Sequence, residues 1–358
     1  LLNYFLNKAL YALLTLFGVV TVIFFLFNVL PGDPAQMMLG QNEDSEQLAL
    51  VKQKYGFDKP VGTQYLYYIN DLSPISFHSK SSNDYTYLSS NKYKASKLFT
   101  IGNTIAVIKL PYLRESFTKQ GKKVTEVLSE TLPNTFVLAT SAIIIAMFLG
   151  VCLGVVSALF KDQWLDKAIQ IFSTLGMSVP SFFSAILFAW FFGYVLHEYT
   201  NLEMTGSLYE IDDFGETKTI QWKNLILPAI VLGIRPLAVV IQLMRNSLLE
   251  VFNQDYIRTA RAKGLSEFQI IKKHAIKNAL NPVITAISGW FASMLAGAVF
   301  VEFIFGWNGL GKEIVNALNT LDLPVIMGSV LVIAIMFITI NIFVDIIYSW
   351  LDPKVKLN

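Results

Sequence analysis

The chain predicts an all-α polytopic membrane protein with six transmembrane helices, and three observations carry that expectation. The first is composition. Of 358 residues, 54% are hydrophobic and only 15% charged, with mean hydropathy +0.50, whereas soluble domains carry about 25% charged residues. The second is a set of six apolar segments, each near the roughly 20 residues a spanning helix needs. The third is the concentration of positive charge in one connection, residues 245–281. A formal net charge of +2 gives no whole-protein attraction for nucleic acid.

Ala9–Leu30 has no charged residue and is too long an apolar run for a signal sequence, so it reads as a retained first helix. Thr131–Phe160 and Ala168–Leu196 are equally free of charge and long enough to span with tilt. Leu225–Met244 carries one charge, Arg235. Pro282–Phe300 and Pro324–Trp350 complete the set, the last with Asp345 near its end. Pro236 beside Arg235, and Pro180 in the third segment, should loosen their helices.

Charges in short loops set orientation. The 245–281 connection carries seven Lys/Arg, against two in 197–223 and one in 302–323. Both termini and the basic connection are therefore expected in the cytoplasm, and the long 32–130 segment outside. The expected divisions are 1–31 as first helix, 32–130 as extracytoplasmic segment, 131–350 as a five-helix core, and 351–358 as a cytoplasmic tail. Within 32–130, Glu43–Tyr55 and Val61–Asp71 read as short helices and 72–97 as irregular. "KLFTIGNTIAVIKL" reads as a hairpin around Gly-Asn.

The basic connection has a definite grammar. Asp255–Lys263 is a plausible helix ended by Gly264, the residue suited to a left-handed cap. Ser266 and Gln269 have capping-box spacing for a second helix. Phe268, Ile271, Ala275 and Ala279 would form its buried face. Asn281-Pro282 would cap and start the next span. A DNA-reading helix-turn-helix is also basic, but a hairpin tethered between two spans is badly placed for a major groove. A solvated loop or a docking element for a cytoplasmic partner remain.

"DYIRTARAKGLSEFQIIKKHAIKNALNPVIT" resembles the EAA-loop region of ABC importer permeases, and more narrowly the oligopeptide/dipeptide permease branch. "LPGDPA", "GFDKPVGTQYL", "LPNTFVLA", "LILPAIVLG", "GAVFVEFIFGWNGLG" and "LDPKVKL" resemble the same branch in the same order, over most of the chain. The resemblance implies a type I importer permease fold in the inner membrane. It implies a second homologous permease subunit, two cytoplasmic ABC ATPase subunits, an extracytoplasmic solute-binding protein and a peptide substrate. It also makes Asp255, Tyr256, Arg258, Thr259, Ala260, Arg261 and Gly264 the ATPase-docking element, with Arg258, Thr259 and Ala260 where the family name's letters stand. After "QYL" the branch has a "GDLG" pattern; this chain has "NDLSPIS" and a longer outer segment instead.

Nothing in the sequence asks for a cofactor. His78, His197 and His274 are scattered, with no metal-ligand spacing. The lone Cys152 reads as a packed thiol. "GWNGLGKE", Gly306–Glu313, fits a phosphate-loop spacing but has Glu313 where a hydroxyl belongs, and no strand precedes it. No catalytic arrangement can be assembled, which argues against an enzyme. Arg235, mid-span, either lines the pathway or is held structurally, by carbonyls or by Glu302 or Asp345. Pro180 is a pathway candidate through its helix break. Glu302, in the family's "VE.IF" gate motif, is either a gate contact or solvated at the interface. A stand-alone secondary transporter or channel is the competing class, and an importer of nickel or another small solute is open within the family.

Overall fold

A computed structural model describes residues 2–29, 34–39, 45–82, 84–90, 92–119, 121–211 and 217–351. Most of "LPGDPA" and nearly all of "LDPKVKL" fall outside them. The elements run α1 (Leu2–Val29), α2 (Pro34–Leu39), α3 (Ser45–Tyr55), α4 (Val61–Leu72), β1 (Ile75–Ser79), β2 (Ala95–Ile101), β3 (Thr104–Lys109) and α5 (Val124–Leu159). Then come α6 (Trp164–Ser178), α7 (Ser181–Trp190), α8 (His197–Thr200), β4 (Tyr209–Ile211), β5 (Lys218–Ile220) and α9 (Lys223–Phe252). The chain continues through α10 (Asp255–Ala262), α11 (Glu267–Ile270), α12 (Ile276–Gly297), α13 (Val299–Ile304), α14 (Leu310–Asn319) and α15 (Leu323–Leu351). Among the described residues, four helices are long and apolar enough to cross a membrane: α1, α5, α9 and α15. Trp164–Ser178 and Ser181–Val195 meet the same standard only as a pair, bent by 110°.

That bend goes further than the loosening expected of the third segment at Pro180. Val179 is extended, with ψ 132°, and Pro180 follows at φ −60°. The proline ring disfavours helical geometry in the residue before it, so one apolar run becomes two helices. The fifth segment also differs. The helix does not begin at Pro282. It runs from Glu267 through a π-helical turn, Ile271–Ala275, into α12, with Pro282 inside it. It ends at Gly297, and α13 starts afresh at Val299.

The chain divides into two compact units. In the first, formed by Leu1–Ala12, Thr131–Glu313 and Ile335–Asn358, α9 packs on α6, α7 and α12. Leu138, Ala142, Leu227, Val231, Met294 and Trp307 belong to one buried cluster. Small residues let α5 and α9 approach closely. A Cβ on Gly150 would lie 2.5 Å from Val240 Cγ1, and one on Gly154 would lie 2.7 Å from Met244 Cβ. Cys152, by contrast, is exposed and not packed inside the chain.

The second unit is Leu13–Glu130 with Ile314–Ala334. Its three-stranded antiparallel sheet has the order β1-β3-β2. β2 and β3 form the expected hairpin, turning at Gly102 with φ +56°. The stretch expected to be irregular contains β1, whose buried residues are the polar Ser76 and His78. Buried Asp71 accepts from Tyr85 Oη and Tyr93 Oη at 2.9 Å and from Arg114 Nε at 3.0 Å, which ties α4 to the segments beside the sheet. Asp322 similarly accepts from the Phe117 and Thr118 N–H groups and the Thr118 hydroxyl.

Candidate functional site

The basic connection folds into a capped helix pair. α10 ends in a turn where Gly264 adopts φ +79°, a region that costs any residue with a Cβ. Ser266 then caps α11: its side chain accepts from Gln269 N, while the Gln269 side chain accepts from Ser266 N. Ile257 and Ala260 are buried with Leu248, Ile270, Ala275 and Ala279, fastening α10 to the ends of α9 and α12. Asp255, Tyr256, Arg258, Thr259, Arg261 and Gly264 all face outward, whereas Ala260 faces the chain's own core. Phe268, expected on the buried face, is 71% exposed, and Ile270 takes that place. The π turn adds a residue and shifts which side chains return to the core.

Outside the pair, Arg261 Nε meets Glu267 Oε1 at 2.8 Å across the turn. Hydrogen bonding between them holds the Glu267 carboxyl below its usual range and raises the guanidinium. Asn278 Nδ2 donates to Tyr256 Oη at 3.1 Å, which ties α10 to α12 directly. A pair that the sequence reading did not identify joins α9 to α6. Arg245 on α9 donates to buried Asp166 on α6, Nε to Oδ1 at 2.8 Å and the terminal nitrogen to Oδ2 at 2.6 Å. Asp166 also accepts from Ser157 Oγ and from Asp162 N. The end of α5, the start of α6 and the C-terminal part of α9 are thereby locked together.

Arg235 sits near the middle of α9 and lines a cavity of about 100 Å³ that is also bordered by Ser181, Ser184, Trp290 and Ser293. Pro180 lies at the α6–α7 break, immediately before Ser181. The two structural partners considered for Arg235 are engaged elsewhere: Asp345 pairs with Lys8, and Glu302 with backbone N–H groups.

Glu302 on α13 is fully buried, which excludes solvation at an interface. Its Oε2 accepts from Gly311 N at 2.6 Å and from Lys312 N at 3.4 Å, at the start of α14. Those N–H groups belong to the phosphate-loop lookalike, so in this fold that loop cradles an internal carboxylate. A Cβ on Gly309 would lie 2.4 Å from the carboxylate, so the cradle has no room for a side chain there. Trp307 Nε1 donates to Asn134 O at 3.0 Å and fixes the same loop to α5. Burial pushes the Glu302 carboxyl up to about 7, against the Thr135, Gly311 and Lys312 hydrogen bonds that favour the charged form.

Several long apolar helices, some with internal proline, and a capped polar hairpin fastened to the ends of α9 and α12 define a polytopic membrane protein. Residues 150–357 match the family described as binding-protein-dependent transport system inner membrane component, and residues 1–85 match its N-terminal counterpart. The chain belongs to that family and is a multi-pass membrane permease of the type I fold. It is 32% identical to the dipeptide transport system permease protein DppB of Alkalihalophilus pseudofirmus, covering 99% of this chain and all of the relative. It is 30% identical to the probable D,D-dipeptide permease DdpB of Escherichia coli, over 94% of this chain and 93% of the relative. It is also 30% identical to the glutathione permease GsiC of Salmonella typhimurium, over 99% of both. A chain of the MetNI methionine ABC transporter aligns with 63% of this one and 96% of its own length, at 16% identity and TM-score 0.48.

Proposed function

We propose that the chain forms half of the translocation pathway of an ATP-driven importer of peptides, and that α10 is the surface through which ATPase subunits act on it. One observation carries the reading: Ile257 and Ala260 weld α10 to the ends of α9 and α12, while its remaining polar side chains project away from the chain. A solvated loop needs no such anchoring. A push on α10 passes as a rigid-body motion into α9 and α12, and through Arg245–Asp166 into α5 and α6.

The positive connection lies in the cytoplasm with both termini, and the 32–130 segment lies outside, where a solute-binding protein delivers the peptide. A second, homologous permease completes the pathway, and two ATPase subunits dock beneath. Peptide as the solute is supported by the dipeptide and glutathione relatives matched along nearly their whole length. Arg235, Pro180 and Glu302 are the pathway and gate positions.

Reconstitution tests this. Liposomes holding the chain alone should neither hydrolyse ATP nor accumulate dipeptide. Accumulation should require the second permease, the ATPases and the binding protein together. Concentrative uptake by the chain alone, driven by an ion gradient, would replace this reading with a secondary transporter.

A further inference from the structure

Arg235 lies twelve residues into α9, about 18 Å from its start at 1.5 Å per residue, and the helix continues for seventeen more. A charge at that depth is expensive unless it is paired or faces a polar cavity. Among the described residues its guanidinium has no hydrogen bond and no ion pair. Nor do the hydroxyls of Ser181, Ser184 and Ser293 or the indole N–H of Trp290, which border the same cavity, have a hydrogen-bond partner.

Three serines elsewhere in the bundle are engaged, unlike those at the cavity. Ser173, Ser178 and Ser288 each bond the carbonyl one turn back, at 2.8 to 2.9 Å. The cavity gathers five side chains with polar groups that the chain leaves unused, Arg235 and Ser293 among them being exposed, and none of its lining residues is acidic. Arginine and tryptophan side chains donate only, and serine can donate. Ser181 and Ser184 occupy the first turn of α7, so the positive end of that helix borders the cavity as well.

We infer that the cavity formed by Arg235, Ser181, Ser184, Trp290 and Ser293 is a transit site for the carboxylate of the solute. The planar guanidinium matches a carboxylate with two parallel hydrogen bonds. About 100 Å³ accommodates that end of a peptide and not the whole molecule, since sites enclosing drug-sized ligands start at roughly 300 Å³. The site reads the acid terminus and is indifferent to the amine, for which it offers no anion. This inference rests on the reading of the chain as a peptide permease, but its ligand chemistry can be tested separately.

The full chain, labelled with 5-fluorotryptophan in nanodiscs, gives a fluorine resonance for Trp290, assigned by its loss in Trp290→Phe. Titration with N-acetylalanine should shift that resonance saturably, whereas N-acetylalanine amide should not. In Arg235→Gln the acid response should weaken by about tenfold or more, the loss of a charge-assisted hydrogen bond, and Arg235→Lys should restore part of it. Equal responses to acid and amide would overturn the site without reference to any variant, as would an undiminished response in Arg235→Gln. In the complete transporter, dialanine uptake reports on the other reading. A Trp290 response without dipeptide uptake sinks the peptide assignment and keeps the anion site; uptake without the response sinks the anion site alone.

Discussion

Arg245 and Asp166, 79 residues apart in sequence, form a two-pronged ion pair that joins α6 to α9, the helix leading into the proposed ATPase-facing α10. Asp166 is only 2% exposed, and removing one member of a buried pair strands the other charge. Arg245→Ala should therefore destabilise the chain by about 3 kcal/mol. Arg245→Lys should recover part of that, because an ammonium keeps the charge but loses the fork. Thermal unfolding in detergent measures both, and equal melting temperatures for the three proteins would show that the pair contributes nothing.

Gly264 separates folding from docking. No atom lies within 4 Å of where its Cβ would be, so only its φ of +79° demands glycine. Gly264→Ala should cost about 1 kcal/mol, too little to unfold the chain. Gly264→Asp should keep the protein in the membrane yet abolish ATPase co-purification, because it alters the exposed turn. Retained co-purification with normal uptake would remove the turn from the docking surface.

What the sequence made legible was local. Gly264 and the Ser266–Gln269 box could be read because cap and partner lie within a few residues of each other. β1 could not: its buried residues are Ser76 and His78 while Ile75 and Phe77 face out, the reverse of the usual pattern, and its partner β3 lies beyond Leu88 and Tyr93. Phe268 leaves the face that periodicity assigns it because that assignment assumes 3.6 residues per turn, which the π turn at Ile271–Ala275 breaks. Pro282 suggested a helix start, yet proline is tolerated inside spans when neighbours satisfy the freed carbonyl. Gly150-x-x-x-Gly154 is a local signal of close helix packing, whereas the Asp166–Arg245 pair has no local signature at all.

The α5–α9 crossing yields a paired expectation. Gly154→Val would drive a side chain into Met244 Cβ and Ile241 O, which lie 2.7 and 2.9 Å from an added Cβ. Overpacking of that kind costs about 1–3 kcal/mol. Gly289→Ala on α12 meets nothing within 4 Å and should hold or raise the melting temperature, since alanine favours helix by about 1 kcal/mol. A melting temperature for Gly154→Val at or above that of the unsubstituted chain would mean that the α5–α9 approach at Gly154 yields to a side chain and does not require glycine.

Glu302 gives the pH dependence its sign. An unfolded glutamate titrates near 4.5, and burial pushes this one up to about 7. Above pH 7 both states are ionised and the folded chain carries a buried charge at its full cost. As pH falls from 7 toward 4.5 the folded carboxyl takes a proton that the unfolded one still lacks, so this group's contribution to stability rises. Below 4.5 no further gain follows. The span of about 2.5 pH units corresponds to about 3 kcal/mol. Glu302→Gln should flatten that slope and raise stability at pH 8, keeping an oxygen for the Gly311 and Lys312 N–H groups. Glu302→Ala leaves both donors without an acceptor and should destabilise at every pH. Infrared difference spectra across pH 5–8 should show a protonated-carboxyl band that appears with a midpoint near 7 and is absent from Glu302→Gln. A midpoint at the ordinary glutamate value would mean that the cradle at the start of α14 holds the charged form more strongly than burial opposes it, and the acid-side gain in stability would then vanish.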